Sequence, residues 1–191
     1  MKKYLIAPYA LWMVLMAVLP ATAWAYAVRG VATAILLSFT LPSLKLPWCG
    51  FKGALYGLLV GVGVFFVWVA PEMFLGLSSA AQTERATPSP YDPAVCTWAL
   101  TIAKIAASAF VISIAEELFF RVWLVDFAGF WWMVVLFAVE HGERWHVGAL
   151  AGIAYGLIAK RFGIYSAIIA HATTNLILGL WVVCCDRWEF W

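Results

Sequence analysis

The sequence predicts an all-α fold, a polytopic transmembrane helix bundle of about seven helices, with six to eight as the bounds. Three observations predict it. Of the 191 residues, 65% are hydrophobic and 12% charged, against about 25% charged in a soluble domain, so there is too little polar surface to coat a water-facing body. Apolar stretches near the roughly 20 residues a helix needs to cross the hydrocarbon core recur along the chain. Aromatic residues gather at the ends of those stretches (Trp24, Trp48, Trp145, Trp188 and Trp191), where amphipathic rings sit among lipid headgroups. No segment is polar enough to stand as a separate soluble domain. Residues 1–191 therefore read as one integral membrane domain, with three spans and a loop over 1–93 and a polar-studded helical core over 94–183. The net charge of +2 leaves no electrostatic footprint for nucleic acid; the partner composition implies is the bilayer.

The spans follow in order. Lys2 and Lys3 before an apolar run imitate a signal peptide, but no small-residue cleavage site precedes a soluble mature region, so Tyr4 to Pro20 reads as a first span. The second runs from Thr22 to Leu41 and the third from Gly53 to Ala70, joined by a short loop with Lys45 and Lys52. Pro71 to Pro93, rich in proline, serine and charge, reads as a loop outside the bilayer. The fourth span starts near Ala94 and continues past Arg121 to a break around Asp126 to Gly129. The fifth covers Phe130 to His141 and the sixth Val147 to Ala159. A basic turn at Lys160 to Gly163 leads into the seventh, Ile164 to Val183.

If the spans alternate, Lys2, Lys3, Lys45, Lys52, Lys160 and Arg161 share one side, and Arg85, Arg144 and Arg187 the other. The excess places the N-terminus in the cytoplasm and the long loop outside it. Two glycine series, Gly53, Gly57, Gly61 and Gly148, Gly152, Gly156, repeat every four residues, a spacing that lets helix backbones approach closely in lipid. Packing within the bundle is the stronger reading, homodimerisation the weaker. Cys49, Cys96, Cys184 and Cys185 form no CxxC or other spaced ligand set.

Ionisable side chains at membrane depth cost at least about 2.5 kcal/mol each and persist when they pair or serve function. Here they are Arg29, Lys104, Glu116, Glu117, Arg121, Asp126, Glu140, His141 and His171, mostly in the second half. In AEELFFR, Glu117 and Arg121 are four apart and can pair on one helix face. Glu116 lies about 100° round the helix with no local cation, as suits a general base. In FAVEHG, Phe137 and His141 share a face, and Glu140 points about 100° from His141. In AHATTN, His171 and Asn175 share a face.

Their depths are compatible. Glu117 and His141 each lie about 18 Å along their helices from Gly129, and His171 about 12 Å beyond Gly163. Glu116, His141, His171 and Asn175 are therefore expected to converge on one cavity, with Glu117, Arg121, Phe137 and Glu140 in support.

The three groups, EELFFR, FAVEH and HATTN, stand in the order of the CPBP family of intramembrane proteases, which includes the CAAX prenyl endopeptidases, and this sequence resembles that family over roughly Ala94 to Val183. Val122 departs from the glycine often found after the arginine. The resemblance implies an intramembrane endopeptidase in which Glu116 activates water. Glu117 and Arg121 would form the supporting pair, His141 and His171 would orient water or stabilise charge, and Asn175 would stabilise the oxyanion. An exosortase-associated subgroup is among the roles the family offers. The residue types agree with amide hydrolysis, which needs a base for water and donors for the oxyanion. Two imidazoles and a carboxylate also form a zinc set, with Glu116, His141 and His171 as ligands; lacking an HExxH helix, the metal-free reading is preferred and no cofactor is expected. The expected partner is a membrane-associated peptide or protein substrate, and the expected location is a bacterial inner (cytoplasmic) membrane. A non-catalytic scaffold or immunity protein would need none of the motif set, and a small proton-coupled transporter should show an internal repeat that the sequence lacks.

Overall fold

The computed structural model describes residues 3–74 and 88–191. Among them there are seven principal helices and no strand: α1 (Ala7–Val18), α2 (Ala23–Thr40), α3 (Gly50–Phe74), α4 (Trp98–Ala128), α5 (Phe130–Glu140), α6 (Trp145–Phe162) and α7 (Ile164–Cys185). Four are long and apolar enough to cross a membrane, namely α2 with its short 3-10 extension to Ser43, α3, α4 and α7, while α1 and α5 are shorter apolar helices. The chain is an integral membrane protein of all-α architecture.

Several boundaries differ from the sequence reading, each for a local reason. Helix α4 begins at Trp98 rather than near Ala94, because the Asp92 carboxylate accepts from the Ala94 N–H in a turn and Thr97 then caps the helix through the Leu100 N–H; a side-chain acceptor at the N-cap satisfies one orphan donor. Helix α3 continues through Pro71 to Phe74 instead of stopping before the proline. Glu72, the residue after the proline, is held there by the Arg144 guanidinium at 3.0 Å. Residues 75–87 of the anticipated loop lie outside the described residues. Lys160 and Arg161 are not a turn but the last turn of α6, where cations complement the helix dipole. The break itself is Gly163 alone, at φ 91, as Gly129 at φ 90 is the break between α4 and α5. Both φ values lie where only glycine is unstrained.

Helix α7 is the central element, packed along α3 and against α4 and α6. Two glycines of the first series, Gly57 and Gly61, face it, while Gly53 faces Phe162 at the end of α6. A Cβ on Gly57 would meet the Ser166 carbonyl at 2.7 Å, and one on Gly61 the Ala170 carbonyl at 2.4 Å. The second series faces α5, where a Cβ on Gly148 would meet the His141 side chain at 3.1 Å, one on Gly152 Phe137 at 3.2 Å and one on Gly156 Phe130 at 2.7 Å. Both series thus do packing work inside the bundle, and the second sets the bed on which Phe137 and His141 lie.

Candidate active site

The polar residues of three helices meet at one cavity of about 300 Å³, whose walls include Glu116, Glu140, His141, His171 and Asn175. The supply begins on α4. Glu116 and Glu117 sit in a short α-helical stretch, Ser113–Glu117, flanked by π-helical turns over Ser108–Ile112 and Leu118–Leu124. Such turns recur at functional sites, and no sequence signal marked these two.

Glu117 is wholly buried and is approached from two sides. The His171 Nδ1–H donates to its Oε1 at 2.9 Å, and Arg121 Nη1 stands 3.1 Å from the same oxygen. The Arg121 contact is a charge pair rather than an aligned hydrogen bond, since none of its three nitrogens finds a hydrogen-bond partner. The guanidinium instead lies 4.0 Å from the centroid of Phe137, an arrangement in which arginine gains from the ring face. Phe137 therefore carries the arginine as well as neighbouring His141, whose ring centroid is 4.7 Å away.

The two imidazoles have defined donors. His141 Nδ1 lies 2.6 Å from the Phe137 carbonyl. A carbonyl only accepts, so that nitrogen carries the proton and Nε2 is left as the acceptor of the neutral ring. His171 gives its Nδ1 proton to Glu117, and its Nε2 stands 3.6 Å from Glu116 Oε2. That is slightly beyond a direct hydrogen bond, and near enough for both atoms to contact one water. The His171 ring is stacked on Tyr155, with centroids 5.0 Å apart at 21°. Tyr155 is itself tied through Thr174 at 2.7 Å, and Thr174 to the Gly61 carbonyl at 2.8 Å. The close approach of α3 to α7 is thereby transmitted to the angle of one imidazole. Asn175 donates one amide hydrogen to the Ser108 carbonyl at 2.9 Å, leaving its second hydrogen uncommitted.

Glu140 differs from its expected orientation. It was placed about 100° away from His141 on the same helix, yet both line the cavity. Helix α5 ends at Glu140, and His141 has left helical geometry at φ −85, ψ 7, so the helical increment does not apply between them. Glu140 lines the same cavity as Glu116, with Tyr9 of α1 near it. Sequence reasoning missed Tyr155, Thr174, Tyr9 and Trp68, whose ring meets that of His141 with centroids 5.1 Å apart. Of these only Thr174, inside HATTN, adjoined a motif.

Both imidazoles commit Nδ1, His141 to the Phe137 carbonyl and His171 to Glu117, and Nε2 of each is left to accept. Among the described residues no three of His, Cys, Asp and Glu are grouped to hold a metal ion.

Comparison with known families agrees with this arrangement. Residues 98–177 match the model of the type II CAAX prenyl endopeptidase Rce1-like family, a segment that holds all three polar groups. No curated protein and no solved structure matches the chain. Residues 98–177, which carry the carboxylates and imidazoles of the cavity, are thus similar to the type II CAAX prenyl endopeptidase Rce1-like family.

Proposed function

We propose that the chain is an endopeptidase that hydrolyses a peptide bond of a membrane-associated substrate with water activated by Glu116. The observation that carries this reading is the position of Glu116 Oε2, 3.6 Å from His171 Nε2 on the wall of the cavity. A water in the cavity beside these two atoms loses its proton to Glu116 and attacks the substrate carbonyl carbon. Charge on the carbonyl oxygen is met by the free Asn175 amide hydrogen, and the proton on Glu116 passes to the departing amine nitrogen, which completes general acid–base hydrolysis. His141, with Nε2 as an acceptor, orients the water. Glu117 fixes the His171 tautomer in the way that a buried carboxylate holds an imidazole, and Arg121 offsets the charge of Glu117. Turnover of a library of membrane-peptide substrates by the purified chain in reconstituted vesicles tests the reading; a failure to cleave any of them would count against it.

The mechanism needs no metal. The expected outcome is purified protein without stoichiometric zinc and activity that survives a strong chelator. One zinc per chain, lost together with activity and restored with it, would turn the reading towards a metallopeptidase.

The same reading places the protein in a bacterial cytoplasmic membrane with its N-terminus inside. The cavity lies toward the end of the bundle that holds Arg144, Glu189 and Trp191, where Arg144 donates to the Glu189 carbonyl at 2.9 Å, so it would open away from the cytoplasm. A cysteine introduced at Pro88, in a variant whose four native cysteines are serines, should react with an impermeant maleimide in intact spheroplasts. Reaction only after permeabilisation would reverse the orientation.

A further inference from the structure

The carboxylates and imidazoles occupy one end of the cavity, and a cation occupies the other. Lys104 lines the same cavity and is buried, with 7% of its surface exposed. Its ammonium is enclosed by three aromatic faces, 4.1 Å from the centroid of Tyr26, 4.3 Å from Tyr91 and 4.7 Å from Trp191. Rings stabilise a cation without neutralising it. Among the described residues no carboxylate pairs with Lys104, nor with its cationic neighbour Arg29, which is also buried and donates only to the carbonyls of Ala25 at 3.3 Å and Pro20 at 3.0 Å. Among the described residues, two buried basic side chains therefore stand at this end without an anion, although buried charges are normally paired.

The spacing gives the subsite a measure. Lys104, Ser108, Ile112 and Glu116 follow one another every four residues along α4, and all line the cavity. Twelve residues of α-helix rise about 18 Å, somewhat less across the π turn at Ser108–Ile112, and an extended peptide advances about 3.3–3.6 Å per residue, so the backbone positions of Lys104 and Glu116 are roughly five substrate residues apart.

We propose that Lys104 is a carboxylate-anchoring subsite, which holds a peptide substrate by its C-terminal carboxylate, or by an acidic side chain, about five residues from the bond that is cut. The proposal rests on the peptidase reading for the identity of the cut, but not for the binding. An anionic group is drawn to the Lys104 end and repelled by the glutamates at the other, so the subsite also sets the direction in which the peptide lies.

The test uses full-length Glu116→Gln protein in phosphatidylcholine nanodiscs, which binds without turnover, and an N-terminally labelled apolar peptide followed by fluorescence anisotropy. Three forms are compared: the free acid, the C-terminal amide, and the amide carrying one aspartate near its end. The free acid or the aspartate form should bind at least about tenfold tighter than the plain amide, the scale of one hydrogen bond to a charged group. Adding Lys104→Met should abolish that preference and leave amide binding unchanged, while Lys104→Arg should retain it. Equal binding of all three forms would overturn the proposal, as would equal weakening of acid and amide by Lys104→Met, which would mark a packing role. A preference lost when phosphatidylglycerol is added would assign the site to a lipid phosphate instead. A protein that binds the acid as described but never cleaves any peptide would leave the subsite standing and remove the peptidase reading.

Discussion

Glu116→Gln should lower turnover by at least about 10²-fold with little change in substrate affinity, the scale expected when a general base is removed. Glutamine keeps the shape and the reach towards His171 Nε2, so the loss would report the missing base and not a collapsed cavity. Glu140→Gln is the necessary companion. Glu140 lines the same cavity as Glu116 and could serve as the base if the assignment were reversed. The expected order is a far smaller loss for Glu140→Gln than for Glu116→Gln, measured as kcat on one substrate in the same vesicles. The reverse order would exchange the two roles, and near wild-type rates for both would leave the chain a scaffold with protease motifs.

Arg121→Ala should cost about 3–5 kcal/mol of stability, the range for breaking a buried ion pair. Glu117 is wholly buried, and without the guanidinium its charge is met by His171 alone. The Phe137 face would lose its cation as well, although 4.0 Å now separates ring centroid and guanidinium. The expected result is a lower yield of folded protein and a lower melting temperature in detergent, with activity lost in parallel. Arg121→Lys should recover only part of this, because an ammonium restores charge but not the planar contact. An Arg121→Ala protein that purified and melted like the parent would show that the pair contributes nothing to the fold.

The sequence made the bundle legible because apolar length and isolated glycine breaks are physical requirements of the bilayer. The sequence bracketed the breaks, around Asp126 to Gly129 and Lys160 to Gly163, and the structure narrows each to its glycine, which holds a positive φ. Counting helical rise from those breaks also gave Glu117, His141 and His171 compatible depths. The same arithmetic failed where the helix itself ended, which is why Glu140 and His141 share a cavity that a regular helix would have denied them. It could not reveal Tyr155 under His171, because that contact depends on the angle between α6 and α7. Nor could it reveal the cage around Lys104, whose rings come from segments as distant as Tyr26 and Trp191. Lys104 stood out in the sequence as a costly charge, but its partners are set by tertiary structure alone.

Helix α5 has 11 residues and rises about 16 Å, roughly half of a hydrocarbon core about 30 Å thick. Its outer flank nonetheless carries Trp131, Trp132, Val135, Leu136 and Val139, all exposed and fit only for lipid. At least one end of α5 must then lie below the membrane surface, where backbone groups need protein or water for partners. The Gly142–Arg144 turn meets this need in part through the Arg144 N–H, which donates to the His141 carbonyl at 3.1 Å. On this side the apolar belt is narrower than the membrane around it, and acyl chains that touch the protein must shorten or splay to match it. The lipid annulus is therefore uneven, with its thinnest sector beside the helix that ends at His141.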